Sequence, residues 1–238
     1  MIKAENLLLI DIETVPIYKS YNELGENMQK LWDRKSQKLE PENNDTESTF
    51  AKYAGIYAEF GKIICIGLGY FIKKENEYTL KIKTLSGHDE KPLLEAFATV
   101  CNKFFRGSEK QFCGHNIREF DIPYICRRSF INQVHLPNIL SDLQNKKPWE
   151  NPMLDTLQFW KFGEYKNFTS VDLLSSVLNI PTPKDDIDGS EVANVYWQEN
   201  NLERIVKYCS KDIVTVGQIL MRLNGMNLMN EQEITYID

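Results

Sequence analysis

A short aliphatic run near the amino terminus, residues 7–10, continues directly into Asp11, Ile12 and Glu13. Such a run predicts a buried strand. Side chains alternate along a strand, so Asp11 and Glu13 face the same side and can converge on one point. The D-x-E spacing is weak by itself, since about one such triplet is expected by chance in a chain of this size. Its position is more informative, because carboxylates buried without partners cost several kcal/mol and usually serve a site.

The rest of the sequence predicts four more strands and several helices. Because three strands come close together before strands begin to alternate with helices, we expect an α/β fold. Its mixed five-stranded sheet would combine an antiparallel meander with parallel strands. We expect a single domain over residues 1–238, with a helical and loop insertion at about residues 17–59. The predicted strands span residues 62–71, 78–85, 111–115 and 153–158; the helices span 21–39, 120–130, 169–178 and 202–223, with a further helix that has Pro92 in its first turn; residues 40–49 are predicted to form a mobile loop.

A second group of chemically distinctive residues follows the predicted strand at 111–115. Asn116 begins a segment that reaches Phe120 and Asp121 at the start of a predicted helix. The alternative interpretation is that Asp121 is an acid favoured by the positive end of the helix dipole, with no part in a site.

A third pair lies in the last long helix, where Tyr208 precedes Asp212 by four residues. This spacing places both side chains on one face, about 5–6 Å apart at Cβ. They lie on the shoulder of an apolar stripe, from which they can reach the strand ends. Without the other two groups, a surface tyrosine beside an exposed acid would explain the pair equally well.

Taken together, the three groups bring acids from separate segments towards one place. Four converging carboxylates repel one another unless a cation lies between them. Mg²⁺ and Mn²⁺ accept carboxylate oxygens and also bind phosphate. Two such ions about 3.5–4 Å apart can promote phosphodiester hydrolysis. The sequence therefore predicts a site for divalent cations.

These segments resemble the three motifs of the DEDD exonuclease superfamily, also called DnaQ-like, which has a ribonuclease H-like fold. The resemblance covers nearly the whole chain, through DIET at 11–14, NIREFD at 116–121 and YCSKD at 208–212. A tyrosine four residues before the last aspartate is typical of the DEDDy branch. NIREFDIPYICRR is similar to the second motif of proofreading exonuclease domains in family B DNA polymerases, and residues 180–190 resemble a segment of stand-alone bacterial relatives.

The resemblance implies a metal-dependent 3′→5′ exonuclease that acts on single-stranded or 3′-frayed DNA, with RNA as a possible substrate. It implies that two Mg²⁺ or Mn²⁺ ions are held by four carboxylates, that a tyrosine orients the attacking water and that three residues touch the terminal nucleotides. The alternatives are an exoribonuclease and a catalytically silent nucleic-acid-binding module. The implied metal ligands are Asp11, Glu13, Asp121 and Asp212, the water-orienting residue is Tyr208, and the substrate contacts are Thr14, Asn116 and Phe120.

Composition limits the cellular setting and the partners. Five scattered cysteines without a C-x-x-C pair predict buried thiols rather than a disulfide or zinc framework. With no signal peptide and no membrane span, we expect a cytoplasmic protein without membrane contact. No polymerase domain follows the third motif, so we expect a stand-alone enzyme whose polymerase or repair partner is unknown.

The net charge of −6 argues against a protein that coats DNA. Local phosphate contacts could still come from Arg118, Arg127, Arg128 and Lys184, although a solvated surface charge is the alternative for each.

Two further polar residues leave alternatives open. His115 either faces substrate or makes a local hydrogen bond. Asp155 either supports the site or caps a helix.

Overall fold

The protein is described by a computed structural model covering residues 2–42, 45–75, 77–107, 109–181 and 186–237. Lys184 and two residues of the predicted loop, Asn43 and Asn44, lie outside these ranges. One mixed sheet carries its strands in the order β5-β4-β1-β2-β3-β6. The strands are β1 (Leu7–Pro16), β2 (Gly61–Lys74), β3 (Glu77–Ser86), β4 (Gln111–Gly114), β5 (Met153–Asp155) and β6 (Ile234–Ile237).

The expected mixed sheet is confirmed, but it has six strands rather than five. β1, β2 and β3 form the antiparallel meander, while β4 and β5 add in parallel beyond β1. The additional strand is β6, which pairs in parallel with β3 from Leu80↔Ile234 to Lys83↔Ile237. β6 is a short edge strand with no fully buried residue, so its sequence lacks the apolar run that identifies the central strands.

β1 continues through the acids instead of ending before them. β2 remains paired with β1 as far as Pro16, with a register shift between Glu13 and Thr14. β4, on the other side, pairs with β1 only at Leu7, Leu8 and Leu9. The carboxylates therefore lie in the part of β1 that projects past β4, where one side of the strand is free of a neighbouring strand.

Helices cover both faces of the sheet. Even-numbered residues of β1, such as Leu8 and Ile10, pack in one cluster with α3 and α4, whereas Leu7 and Leu9 pack with α8. Asp11 and Glu13 have the same parity as Leu9 and thus share the face that α8 covers. The helices are α1 (Glu26–Leu39), α2 (Thr46–Tyr53), α3 (Glu90–Phe104), α4 (Asp121–Ile131), α5 (Thr156–Lys161), α6 (Val171–Val177), α7 (Val192–Trp197) and α8 (Leu202–Leu223).

Three local predictions were wrong in detail. The helix expected over residues 21–39 begins at Glu26, after a 3₁₀ turn at Tyr21–Glu23. α2 occupies part of the predicted loop, because Asp45 caps it and Phe50 is fully buried against Trp32. The strand expected over residues 153–158 ends at Asp155, which caps α5 instead.

None of the helices in the described ranges combines the length and the apolarity that crossing a membrane requires.

Candidate active site

A cleft of about 620 Å³ opens beside the projecting part of β1. Its walls come from β1, from the loop between β4 and α4, from α8, from the end of α2 with the 3₁₀ turn at Ala54–Ile56, and from the segments that lead into α6 and α7. The implied metal ligands, the implied water-orienting residue and the implied substrate contacts all line this cleft: Asp11, Glu13, Thr14, Asn116, Phe120, Asp121, Tyr208 and Asp212.

Asp11 and Glu13 are the acids of β1. Glu13 is buried, and burial raises the pKa of each carboxyl well above its usual range. The charge of Asp212 raises both pKa values further, and Asp121 adds to the effect on Asp11. No lysine or arginine pairs with either acid within the described chain. These two acids therefore have no cationic partner among the residues that the structure describes.

Asp121 reaches the same cleft from the first residue of α4. Its Oδ1 accepts a hydrogen bond from the backbone N–H of Ile12 at 3.1 Å, which ties α4 to β1 between the two strand acids. The carboxyl is buried, and burial raises its pKa to about 7 despite this hydrogen bond. Asp121 is the first residue of α4, where the helix dipole favours an acid, and its side chain also lines the cleft.

α8 brings Tyr208 and Asp212 to the cleft because it packs unusually close to β2. A Cβ built on Gly67 would lie 2.8 Å from Ile213 Cγ1 and 2.9 Å from Cys209 Sγ. Only glycine leaves room for this approach. The predicted apolar stripe is present, with Ile205, Cys209 and Ile213 fully buried. Its shoulder faces the cleft, as the helical spacing indicated.

The hydroxyl of Tyr208 lies among the acids. Burial is the largest cause of its raised pKa, followed by the charges of Asp212 and Glu13, and it hydrogen-bonds to Asp212. The phenol therefore keeps its proton at neutral pH and can act as a hydrogen-bond donor.

The sequence analysis assigned Cys209 only to the apolar stripe, but its thiol lies beside the strand acids. Cys209 Sγ is 3.5 Å from Asp11 Oδ2, and ligand atoms of Asp11, Glu13 and Cys209 lie within 4.8 Å of one another. Cys209 directly follows Tyr208 in the sequence, which could have suggested that its thiol lies near the site. Only the packing of α8 on β1 shows that the thiol lies beside Asp11.

The loop between β4 and α4 is held in a demanding conformation. Asn116 has a φ of 65°, which few residues other than glycine adopt. Buried Asp155 fixes the loop by accepting hydrogen bonds from the N–H groups of Asn116 at 2.9 Å and Arg118 at 3.0 Å. Asp155 also caps α5 through the N–H of Leu157, so both of its suggested roles are realised in one side chain.

Asn116 offers a free acceptor to the cleft. Its side-chain Oδ1 is buried and has no hydrogen-bond partner in the part of the chain that the structure describes. A buried polar atom without a partner is costly. Water or a bound molecule in the cleft can supply the missing donor.

Two of the other polar expectations are also resolved. His115 makes local hydrogen bonds, because Nε2 donates to Thr169 O at 2.7 Å and Nδ1 shares a hydrogen bond of 2.9 Å with the hydroxyl of Thr156, and it also lines the cleft. Arg128 is not a phosphate contact, because it is buried in an ion pair with Glu90. Its place in the sequence beside Arg127 conceals this difference, because α4 turns Arg128 inward and leaves Arg127 exposed.

The chemistry of the lining suits a divalent cation. Five carboxylates line the cleft against a single lysine, Lys52, among the described residues. Carboxylate oxygens are the ligands that Mg²⁺ and Mn²⁺ prefer. A cleft this acidic repels a phosphate chain unless cations are bound with it. The residues present therefore fit divalent metal.

Comparison with known proteins is consistent with this geometry. A family model described as a predicted 3′-5′ exonuclease related to the exonuclease domain of PolB matches residues 56–235. Asn116, Asp121 and Asp212 lie inside the matched range, whereas the acids of β1 precede it. No curated protein matches the sequence.

The fold is similar to that of a solved polymerase. The family B DNA polymerase from the hyperthermophilic archaeon Pyrobaculum calidifontis aligns over 90% of this chain with a TM-score of 0.53 and 13% identity. The aligned part is 24% of the polymerase, so this chain spans about a quarter of its length. At this identity the likeness shows the fold alone, and it agrees with the fold expected from the sequence motifs.

Proposed function

Because the chain belongs to the family of predicted 3′-5′ exonucleases related to the exonuclease domain of PolB, we propose that it hydrolyses phosphodiester bonds at the 3′ end of single-stranded or frayed DNA. The observation that carries the proposal is the convergence of acids from β1, α4 and α8 in one cleft. They come from segments about 200 residues apart in the sequence, and buried acids rarely gather without a use. We propose that residues 1–238 act as one nuclease domain.

Four carboxylates of the cleft are proposed to hold two Mg²⁺ or Mn²⁺ ions. Asp11, Glu13 and Asp212 would hold one ion, and Asp11 with Asp121 would hold the second. When bound, these ions supply positive charge that offsets the phosphate and favours ionisation of water. Their binding would also relieve the mutual repulsion that raises the pKa values of Asp11 and Glu13.

Tyr208 is proposed to position the attacking water. Its raised pKa keeps the phenol protonated, and its hydrogen bond to Asp212 directs the hydroxyl towards the acids. In the reaction, the water oxygen forms a bond to phosphorus while the bond from phosphorus to the O3′ of the preceding nucleotide breaks. The water proton is passed on and O3′ gains a proton, so the products are a nucleoside 5′-monophosphate and a strand shorter by one nucleotide.

The terminal nucleotide is proposed to rest on the other cleft residues. Phe120 is half-buried with its ring 5.4 Å from that of Tyr124, so it offers a fixed apolar surface to a base. Asn116 Oδ1 accepts a hydrogen bond from the substrate, and Thr14 contacts it from the bulged part of β1. These contacts recognise a strand end without reading its sequence.

The test is incubation of 5′-labelled single-stranded DNA, mismatched duplex DNA and RNA with the protein and Mg²⁺ or Mn²⁺. We expect a ladder that shortens from the 3′ end of the DNA strands. Asp212→Asn should abolish the ladder, whereas Glu203→Gln, an exposed acid on the same helix, should not. Intact DNA beside degraded RNA would identify an exoribonuclease instead, and intact substrates throughout would contradict nuclease activity.

Tyr208→Phe separates the two proposed roles in the cleft. It removes one hydroxyl, so we expect cleavage to slow by about 10²-fold or more, while the rise in melting temperature with Mn²⁺ persists. Tyr236→Phe, a change at an exposed tyrosine on β6, is the matched control. Equal loss of cleavage and of metal binding would contradict the water-positioning role.

A further inference from the structure

Exposed aromatic side chains are concentrated in one stretch of the chain that adjoins the cleft. Seven of the fourteen large apolar side chains exposed in the described residues fall within residues 149–177. Single exposed apolar residues are ordinary, but a continuous group marks an interaction site. The mechanism proposed above uses none of this group.

Four of these aromatics recur at every third position. The exposed fractions are 39% for Phe159, 85% for Phe162, 94% for Tyr165 and 63% for Phe168. Successive members are separated by at most about 10–11 Å along the backbone. Phe159 and Phe162 are in contact, with ring centroids 6.2 Å apart, and none of the four belongs to the buried core. We call the four residues the aromatic row, after their spacing in the sequence.

Local backbone conformation explains why these rings face solvent. α5 ends at Lys161 because Phe162 and Gly163 adopt positive φ angles of 47° and 89°. The chain then runs without regular structure to α6. Residues after the helix therefore never meet the sheet, which leaves Phe162 and Tyr165 exposed.

The inner end of the row is fixed at the cleft. Phe168 lines the cleft, and its ring lies edge-on to that of His115 with centroids 6.3 Å apart. His115 Nε2 donates to the carbonyl of Thr169, the next residue, at 2.7 Å. Burial lowers the pKa of His115, which favours the neutral imidazole beside Phe168. Phe168, the member of the aromatic row nearest the cleft, is therefore held in a defined position.

The row also differs in charge from the cleft. Lys161 and Lys166 alternate with the aromatic residues, and Asn167 hydrogen-bonds to Glu164, the acid between them. Proteins that bind single strands without sequence preference combine stacking rings with positive charge along the backbone path. We propose that Phe168, Tyr165 and Phe162 form a stacking track for the single strand that leaves the cleft. The track rests on the proposed function, because it extends the same substrate site in the 5′ direction.

Binding measurements with Ca²⁺, which also takes carboxylate oxygens, test the track directly, and gel analysis of the probes after each measurement verifies that they remain uncleaved. The probes are a fluorescein-labelled thymidine trinucleotide and dodecanucleotide, followed by fluorescence anisotropy. We expect the parent to bind the dodecanucleotide more tightly. Replacing Phe162, Tyr165 and Phe168 with alanine should weaken that binding by about fivefold or more per ring and leave the trinucleotide much less affected. The matched control replaces Phe130 and Tyr236, which are also exposed, at 71% and 61%, but lie away from the cleft.

Equal affinity of the parent for both probes, or an unchanged length preference in the triple variant, would overturn the track. The second result would leave a protein partner as the occupant of the aromatic row. The exposed rings are not part of the core, so circular dichroism and the melting temperature should match those of the parent.

Cleavage with Mn²⁺ separates failure of the track from failure of the proposed function. We expect the parent to shorten the dodecanucleotide faster than the trinucleotide, and the triple variant to lose this advantage while still cleaving the trinucleotide. Cleavage of both probes at one rate by the parent would overturn the track and leave the nuclease standing. A parent that cleaves neither would overturn the nuclease, and the affinities measured with Ca²⁺ would then decide the track alone.

Discussion

Two groups of buried carboxylates in this protein differ in their hydrogen-bond and ion-pair partners. Glu90, at the start of α3, is 5% exposed and accepts hydrogen bonds from Arg128 Nε at 3.0 Å, Asn132 Nδ2 at 2.8 Å and Ile63 N at 2.7 Å. Glu13 and Asp121 are buried to a similar degree, at 7% and 4% exposed. No arginine or lysine in the described residues pairs with either.

The comparison shows which buried carboxylates have cationic partners among the described residues and which do not. Around Glu90 the protein supplies every donor itself, and the network joins β2, α3 and α4 on the face opposite α8. In the cleft, burial raises the pKa values of the acids and their mutual repulsion raises them further, and no lysine or arginine of the described residues pairs with the strand acids. Glu90 therefore serves stability, and the cleft acids are available for binding cations.

Removing Arg128 should have the largest effect on stability. Arg128→Met leaves Glu90 buried with a missing cation, which costs about 3–5 kcal/mol in comparable buried pairs. Urea denaturation would measure the loss of unfolding free energy. Arg127→Met, the exposed neighbour on α4, is the control and should change it little. A loss below about 1 kcal/mol would show that the buried pair resembles a surface ion pair.

Adding Mn²⁺ should stabilise the protein through the other group of acids. A ligand that binds only the folded state at 100 times its Kd adds about 2.7 kcal/mol. We expect a higher melting temperature with Mn²⁺, a rise that Asp11→Asn removes. Glu109→Gln, an exposed acid paired with Lys3, should retain the rise. An unchanged melting temperature in the parent would contradict the metal site.

The pH dependence of the metal-free protein provides a further contrast. The pKa of Asp121 is about 7 when folded against an ordinary value of 3.8. Its protonated form thus contributes stability that is complete below pH 4 and lost as the pH rises through 7. Between about pH 5 and pH 8 we expect the unfolding free energy to fall by about 2 kcal/mol. Asp121→Asn should reduce this slope but not abolish it, because the raised pKa values of Asp11 and Glu13 act in the same direction, and a parent whose stability rises over that interval would contradict the assignment.

A smaller loss of unfolding free energy than that of Arg128→Met is expected when Asn132, the amide partner of Glu90, is removed. Asn132→Ala removes one hydrogen bond to a buried carboxylate that keeps its ion pair, so we expect a loss of about 1.5–3 kcal/mol at most. The stabilisation by Mn²⁺ should be unchanged, because Asn132 does not line the cleft. If this variant altered the response to Mn²⁺, the two groups of acids would be coupled rather than independent.

Local sequence patterns were sufficient for much of the fold and for the composition of the site. The strand acids, the Asn116–Asp121 segment and the Tyr208–Asp212 pair were each visible as spacings, and the structure brings all of them to one cleft. The apolar stripe of α8 was equally clear, because helical periodicity over 22 residues is a strong signal.

Long-range contacts decided the remainder. β6 is too short and exposed to be recognised, and it exists because β3 offers an unpaired edge. α2 contains only a few apolar residues, but one of them, Phe50, packs against Trp32 and holds the helix on the protein. Neither partner is near in sequence, so no local pattern could have predicted the outcome.

By itself, the sequence determined which acids share a strand face or a helix face, because alternation and helical periodicity are properties of the backbone alone. Only the tertiary structure decided that Glu90 receives an arginine while Asp11, Glu13 and Asp121 receive none from the described part of the chain, and that Cys209 lies against Asp11. The physical reason is that compensation of a buried charge depends on groups far apart in the chain, whose approach is set by packing such as that of α8 against Gly67.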